Sequence, residues 1–475
     1  MYKVVIGLEV HCELKTKAKV FSMGPNIYSE EPNINVATID LGFPGVLPVV
    51  NKTAVEYAIK TALALNCTIP NELVFDRKNY FYPDLPKGYQ ITQFNKTIGS
   101  NGVLIINVDG EDKKVFIKEM HLEEDTASLD HYGSYSLLNY NRAGVPLIEV
   151  VTEPCLHNSE EVVTFLEALR SIFLYCDVSE AKSDKGQMRC DVNISLMKDD
   201  SKELGTKVEL KNINSFNNVK DAIEYEIKRQ AEMLDNGEKV IMETRRFDDN
   251  KRKTYTMREK VEAVDYKYFM EPNIPIIKIK KDWVNEIKTT IPMLQYERIQ
   301  LYMNEYGLSR YDATILVKDK EVADFFEKAI TYDDDYKKIT NWINGVVLGH
   351  INKYGLRINE IFITPKMLVE LIKLVEDKTI SIKQGKEVFY QALQEKKEPI
   401  DIVKSANMSQ IQDEDYLLKI ALEVINENKE VVTEYLNGRD NVLDYLVGQV
   451  MKKTKGKANP AKASEILKTE IKKLN

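Results

Sequence analysis

The chain has 475 residues, of which 43% are hydrophobic and 29% are charged, and its 66 basic and 74 acidic side chains give a net charge of −8 at pH 7. This composition excludes a disordered chain, and the length predicts roughly three domains. The sequence contains no run of eighteen apolar residues and no C-x-x-C pair among its five cysteines, and its first residues have a strand pattern without the flanks expected of a signal peptide. We therefore expect a soluble, cytoplasmic protein without disulfide bonds.

The sequence up to about residue 280 contains short strand patterns separated by turns. Apolar and polar residues alternate over 4–12, 103–108, 115–120, 189–196 and 207–211. Helical spacing interrupts these patterns from Thr53 to Leu65, from Asn158 and from about Asn218. Because strands and helices do not alternate strictly, the pattern predicts an α+β domain with a largely antiparallel sheet.

The remaining sequence is helical in pattern. Strand patterns end near residue 283, and apolar residues then recur three and four positions apart. A polar stretch at 395–399 is typical of a linker. We therefore predict an α+β domain at 1–290, an all-α domain at 291–400 and a small all-α tail domain at 408–475.

Three of the strand patterns carry polar side chains of both charge signs on one face, because side chains alternate along a strand with period two. The shared faces contain Glu9, His11 and Glu13; Arg189, Asp191, Asn193 and Ser195; and Lys207, Glu209 and Lys211. Each pattern taken alone also fits an ordinary strand with one solvated face. Together they predict one sheet whose polar face is a functional site.

The residue types on these faces suit phosphate chemistry with a divalent ion. Carboxylates with a single histidine are ligands for Mg²⁺ or Mn²⁺, and the segment 121–125 offers more oxygen donors. Arg142 and Arg189 suit phosphate oxygens. Neither the P-loop pattern nor G-x-G-x-x-G occurs, and no serine or cysteine has the context of a nucleophile. We therefore predict nucleotide-dependent phosphoryl transfer on an open sheet, without amide hydrolysis by this chain.

Two further segments leave alternatives open. Residues 79–89 hold four aromatic residues and two prolines, which fits either a packed surface loop or a loop facing a substrate. The last twenty-five residues carry eight lysines against two glutamates. That tail fits either a solvated terminus or a local footprint for nucleic acid.

Several long segments resemble one known family. The segments 5–11, 77–89, 140–149, 207–212 and 446–460 are similar to the B subunit of the aspartyl/glutamyl-tRNA(Asn/Gln) amidotransferase. The resemblance covers essentially the whole chain and implies a cradle-like first domain. Where many family members carry cysteine pairs for a zinc ribbon, this chain has Ser22, Gly24, Ala37 and Asp40, so we expect no zinc. It also departs from the family at Lys267, Met270 and Asn273.

The resemblance implies an enzyme of three different chains. A glutaminase of the amidase family, known as the A subunit, releases ammonia, and a small third chain, the C subunit, stabilises the complex. The B subunit phosphorylates with ATP the side-chain carboxylate of Glu on tRNA(Gln) or Asp on tRNA(Asn), and ammonia then displaces the phosphate. Two alternatives remain, namely a tRNA-binding scaffold with a decayed kinase site and a free-standing kinase acting on small carboxylates.

The resemblance also implies roles for individual residues. The implied ligands of Mg²⁺ or Mn²⁺ are Glu9, His11, Glu124, Asp191 and Glu209, with Glu123 beside them. From their charge and placement, and not from the resemblance, we infer that Arg142, Lys207 and Lys211 would contact phosphates and act with Glu124 in catalysis, and that Arg189 would join them in binding ATP. Lys78 and Lys87 would line the ammonia route with Glu124. The implied tRNA contacts of the tail are Lys452, Lys453, Lys455 and Lys457.

Overall fold

A computed structural model of the chain describes residues 2–198, 201, 203–211, 213, 215–259, 265–405, 414–437, 439–454 and 458–474. The chain divides into two compact units, Met1–Glu297 and Arg298–Asn475. The predicted tRNA contacts Lys455 and Lys457, and the predicted domain start at 408, lie outside the described residues. Within the described ranges, none of the helices has both the length and the apolar composition needed to cross a bilayer.

The described part of the first unit is rich in strands. In chain order they are β1 (Tyr2–Glu13), β2 (Glu72–Leu73), β3 (Asp76–Asn79), β4 (Tyr89–Thr92), β5 (Gly99–Val108), β6 (Glu111–Glu124), β7 (Ser128–Tyr132), β8 (Tyr135–Asn139), β9 (Pro146–Thr152), β10 (Met188–Lys198), β11 (Val208–Lys211), β12 (Glu243–Asp248), β13 (Lys253–Glu259), β14 (Phe269–Met270) and β15 (Ile277–Lys278).

The main sheet has eight strands in the order β13-β12-β11-β10-β1-β9-β6-β5. Neighbouring strands run antiparallel throughout, except that β11 and β12 are parallel. The long first strand β1 lies inside this sheet, with β10 on one side and β9 on the other. The predicted α+β class, with a largely antiparallel sheet followed by helical regions, is confirmed.

Helices of the first unit pack with the apolar side of the main sheet in one hydrophobic core. They are α1 (Lys52–Ala64), α2 (Ser159–Tyr175), α3 (Phe216–Asp235) and α4 (Lys281–Thr289). The side chain of Asn158 caps α2 by accepting a hydrogen bond from the backbone N–H of Glu161. The Glu161 carboxylate accepts a hydrogen bond from the backbone N–H of His157.

The rest of the described chain is helical. Its helices are α5 (Gln295–Asn304), α6 (Arg310–Val317), α7 (Lys320–Ala329), α8 (Tyr336–Trp342), α9 (Leu348–Tyr354), α10 (Pro365–Glu376), α11 (Ile382–Glu395), α12 (Pro399–Ser405), α13 (Glu414–Glu427), α14 (Lys429–Leu436), α15 (Leu443–Lys453) and α16 (Pro460–Lys472).

A π-helical turn, Ile343–Val347, joins α8 to α9. The second unit contains two hydrophobic cores, one built from residues between 302 and 403 and the other from residues between 417 and 471. The predicted division of this part into two domains, and its predicted boundaries, stay predictions.

A buried ion pair stabilises the loop that follows β1. The ammonium of Lys19 lies 3.1 Å from Asp40 Oδ2, and the two side chains are 0% and 4% exposed. Asp40 Oδ2 also accepts the backbone N–H of Ala37, and a Cβ added to Gly24 would lie 2.6 Å from the same oxygen. Gly24, Ala37 and Asp40, three of the four positions compared above with zinc-ribbon cysteines, therefore lie together around this carboxylate.

We expect Asp40→Asn to lower the free energy of unfolding by about 3–5 kcal/mol, because it leaves the Lys19 ammonium buried without its counter-ion. Glu72→Gln is the matched control, since it breaks the Lys96–Glu72 pair, which is 45% and 33% exposed, and should cost about 0–1 kcal/mol. Urea unfolding of both variants measures the difference. Equal losses would contradict a structural role for the buried pair.

Candidate functional site

The polar side of the main sheet forms the candidate site. Its position follows from the pairing of β1, in which Glu9 lies opposite Asp191 of β10 and His11 lies opposite Glu149 of β9. On the other side of β1, Leu8, Val10 and Cys12 are buried in the core. The alternation that predicts a shared polar face for β1, β10 and β11 therefore places acidic residues from separate strands next to each other.

One group of acidic side chains consists of Glu9, Asp191 and Glu209. One carboxylate oxygen from each lies within 4.8 Å of the others. The ammonium of Lys211 lies 2.6 Å from Asp191 Oδ2 and 3.4 Å from Glu209 Oε1. Burial alone would lower the pKa of Lys211, but these two carboxylates raise it. Asn193 donates a hydrogen bond of 2.9 Å to Glu9.

A second group consists of His11, Glu123 and Glu149, again with one donor atom from each within 4.8 Å. Burial lowers the pKa of His11 to about 4, so the imidazole is neutral and can act as a ligand. Burial, Glu123 and Glu9 raise the pKa of Glu149 well above its usual range, and Lys78 opposes this shift. Sequence reasoning did not select Glu149, although it ends one of the segments on which the family resemblance rests.

Glu124 points elsewhere and belongs to neither group. Its carboxylate lies 2.5 Å from the Lys87 ammonium and accepts the backbone N–H of Ile91 at 2.8 Å. Lys87 and Glu124 are 11% and 4% exposed. Glu124 was predicted both as a metal ligand and as part of the ammonia route. In this structure it forms a buried ion pair with Lys87, which was predicted to line the same route.

The two arginines of the predicted phosphate contacts converge on Asp125. Arg189 lies 2.6 Å and Arg142 lies 3.6 Å from Asp125 Oδ2. Burial would raise the pKa of Asp125, but the two guanidinium groups lower it, and the carboxylate is ionised. Arg142 also donates to the carbonyl oxygens of Thr126 and Ala127. About a third of each arginine side chain remains exposed towards solvent.

The remaining predicted site residues are spread more widely. Lys207 is exposed and precedes β11. Lys78 lies 4.9 Å from the ring centroid of Tyr266. In the tail, Lys452 is exposed, whereas Lys453 forms ion pairs with Glu427 and Glu423.

One departure from the family pattern has a structural partner. The backbone N–H and the side-chain amide of Asn273 both donate to Glu271 Oε1, at 2.9 Å each. Glu271 in turn forms two hydrogen bonds with Arg77. Asn273 therefore helps to hold the carboxylate that fixes Arg77 at the base of the aromatic loop.

The donor sets fit hard divalent cations. Glu9, Asp191 and Glu209 offer only carboxylate oxygens, and His11, Glu123 and Glu149 add one imidazole nitrogen, a combination suited to Mg²⁺ or Mn²⁺. The two groups contain five carboxyl groups and one neutral imidazole, and Lys211 neutralises only part of the negative charge of the carboxylates. The arrangement can therefore bind cations together with an anionic, phosphate-bearing substrate.

Comparison with known families agrees with this geometry. Residues 4–285 match the model of the GatB/GatE catalytic domain, and residues 324–471 match the model of the GatB domain. The sheet and its polar face thus lie in a catalytic domain of this class.

The sequences of curated relatives are similar to this chain over nearly its whole length. The B subunit of the aspartyl/glutamyl-tRNA(Asn/Gln) amidotransferase of Halalkalibacterium halodurans is 48% identical over 473 residues, which cover 99% of both chains. The same subunit of Geobacillus thermodenitrificans is 47% identical with the same coverage, and that of Brevibacillus brevis is 45% identical over 475 residues, or 100% of this chain and 99% of the relative. The chain belongs to the family of amidotransferase B subunits.

The two donor groups predict two separable sites for Mn²⁺. We expect Asp191→Asn and Glu149→Gln each to weaken binding at one site by about tenfold or more, because each replaces a carboxylate ligand by a neutral amide, which is a weaker ligand for a divalent cation. Titration of the purified chain by isothermal calorimetry or Mn²⁺ spin resonance measures this. Glu111→Gln, an exposed acidic residue at the far end of β6, is the control. Unchanged affinity in both site variants would rule out these ligand sets.

Proposed function

We propose that this chain is the ATP-dependent transamidating subunit of an aminoacyl-tRNA amidotransferase. It phosphorylates the side-chain carboxylate of glutamate on tRNA(Gln), or of aspartate on tRNA(Asn), and the phosphate is then replaced by ammonia. The observation that carries the proposal is the pair of donor groups on one sheet face, with Lys211 and Arg189 beside them. Membership of the B-subunit family supports the choice of tRNA as the carrier of the substrate.

Divalent ions would be held by Glu9, Asp191 and Glu209 and by His11, Glu123 and Glu149. When bound, such ions neutralise the charge of the transferring phosphoryl group. The chain's own cations have a linked role. Lys211 now neutralises Asp191 and Glu209, so a divalent ion at these carboxylates would free its ammonium to bind a phosphate oxygen. Arg142 and Arg189, held by Asp125, would orient the substrate by hydrogen bonding.

Ammonia would come from a partner glutaminase of the amidase family, with a small third chain stabilising the assembly. The buried Lys87–Glu124 pair supports the proposed route, because a buried carboxylate can hold an ammonium ion and accept its proton. Lys78, near Glu149, would lie further along the same route. The exposed Lys452 of the tail would contact the tRNA backbone.

We expect Glu9→Ala to reduce tRNA-dependent ATP hydrolysis by the assembled complex by about a hundredfold, because it removes a ligand of the ion that stabilises the charge of the transition state. Glu111→Ala, outside the site, should leave the rate unchanged. The assay compares phosphate release with and without mischarged tRNA. Equal ATP hydrolysis by Glu9→Ala and the unmodified chain would favour a tRNA-binding scaffold without a kinase site.

We expect the double variant Lys87→Met/Glu124→Gln to lose most glutamine-driven amidation while keeping most amidation driven by added ammonium salt. Both charges are removed together so that neither is left buried alone. The control is Lys96→Met/Glu72→Gln, which removes a more exposed pair of the same unit. Equal loss with both nitrogen sources would place the pair in the phosphorylation step and contradict its role in ammonia transfer.

A further inference from the structure

Each of the two donor groups contains one carboxylate that accepts a hydrogen bond from a buried threonine. Thr92 Oγ1 donates to Glu123 Oε2 at 2.7 Å, and Thr244 Oγ1 donates to Glu209 Oε2 at 2.8 Å. The four residues are between 2% and 7% exposed. Because the last torsion of a glutamate side chain is broad, a hydrogen bond from a fixed hydroxyl restricts the plane of the carboxylate. Neither threonine belongs to a donor group or to the ammonia route assigned above.

Thr244 reaches its carboxylate within the main sheet. It lies on β12 directly opposite Glu209 of β11, in the parallel pair of strands. Side chains at one register position of neighbouring strands lie on the same face, so the pairing itself brings the hydroxyl to the carboxylate. Threonine is β-branched and stiff about its first torsion, which keeps the hydroxyl in place.

Thr92 reaches its carboxylate from another sheet. It lies on β4 of the three-stranded sheet β14-β3-β4, whereas Glu123 lies on β6 of the main sheet. The residue before it on β4, Ile91, donates its backbone N–H to Glu124, the partner of Lys87. The strand β4 therefore directs two adjacent glutamates to different places, Glu123 to its donor group and Glu124 to the ion pair.

In both carboxylates the second oxygen is turned towards the rest of its donor group. Glu123 Oε1 lies 4.0 Å from Nε2 of His11. Glu209 Oε1 lies 3.4 Å from the ammonium of Lys211, which also contacts Asp191. An ion bound at either group would thus meet an oxygen whose direction is already set, and less side-chain freedom would be lost on binding.

We propose that Thr92 and Thr244 are positioning residues for the two metal sites, Thr92 through Glu123 and Thr244 through Glu209. The assignment rests on the proposed function, in which the two donor groups hold divalent ions. Each threonine acts through one carboxylate and does not contact the ion itself. Without the hydroxyl, the carboxylate can rotate away from its donor group, and the ion must then order it again on binding.

Thr92→Val and Thr244→Val test the proposal, because they remove the hydroxyl and keep the shape of the side chain. We expect each to weaken the binding of Mn²⁺ to the full chain at one site by about tenfold, measured by Mn²⁺ spin resonance. Thr92→Ser and Thr244→Ser keep the hydroxyl and should restore most of the affinity. Alanine at either position repeats the test where valine prevents folding.

Each site can be measured in a variant that already lacks a ligand of the other site. Thr244→Val is combined with Glu149→Gln, and Thr92→Val is combined with Asp191→Asn. In the assembled complex, each single valine variant should also raise by about tenfold the Mg²⁺ concentration that gives half-maximal tRNA-dependent ATP hydrolysis. Saturating Mg²⁺ should recover most of the rate, because all carboxylate ligands are still present.

Thr254→Val is the matched control for the loss of a buried hydroxyl. Thr254 is 2% exposed, lies on β13 of the same sheet and donates to the carboxylate of Glu226, which is fully buried and outside both donor groups. It also accepts a hydrogen bond from Arg245. The variant should therefore lower the midpoint of urea unfolding at least as far as the site variants, with unchanged affinity for Mn²⁺.

The outcomes separate this proposal from the proposed function. Unchanged affinity in a valine variant overturns the role of that threonine, and an equal loss in Thr254→Val overturns both roles, while the proposed function stands because the unmodified chain binds the ion. A loss that serine does not restore assigns the effect to packing and also contradicts the proposal. If the unmodified chain binds no Mn²⁺ at these groups, the proposal and the proposed metal sites fail together.

Discussion

The antiparallel pairing of β1 with both β9 and β10 is the constraint on which the candidate site depends. This register sets Glu9 against Asp191 and His11 against Glu149. Leu8, Val10 and Cys12 on the opposite side of β1 are buried, and a slip of one residue would turn them to solvent and the acidic residues into the core. Burial of the apolar face therefore fixes the geometry of the polar face, so core packing and the placement of the donor groups cannot vary independently.

The carboxylates of the polar face repel one another. Burial and neighbouring carboxylates raise the pKa of Glu149, because a further negative charge at this position is unfavourable. Lys211, paired with Asp191, and Arg189, paired with Asp125, offset part of this repulsion. Desolvation and mutual repulsion of these carboxylates destabilise the fold relative to an apolar face, and a bound cation would reduce this unfavourable free energy. This is the physical reason to regard the face as a binding site and not as a stabilising ion-pair network.

Sequence alternation predicts much of this face because it depends only on period two. It selects Glu9, His11, Asp191, Glu209 and Lys211 correctly as residues of one sheet surface. It misses Glu149, since the neighbours of that residue on the same face of β9 are Leu147 and Val151 and the strand is apolar in pattern. The orientation of Glu124 depends on Lys87 and Ile91, contacts made by a separate loop and strand.

The cysteines nearest the site help to define what the chain contributes to the reaction. Cys12 and Cys190 lie on the apolar side of β1 and β10, opposite the acidic groups. Burial raises the pKa of Cys12 to about 12 and that of Cys190 well above its usual range, so both remain thiols at neutral pH. A thiol turned away from the substrate cannot form the covalent intermediate that amide hydrolysis by cysteine requires. These two side chains are therefore part of the core, and the polar groups that the face presents are its carboxylates, its histidine and its cations. Neither of these two thiols is available as a nucleophile on the polar face, which is consistent with a proposed function that assigns the release of ammonia to a partner chain.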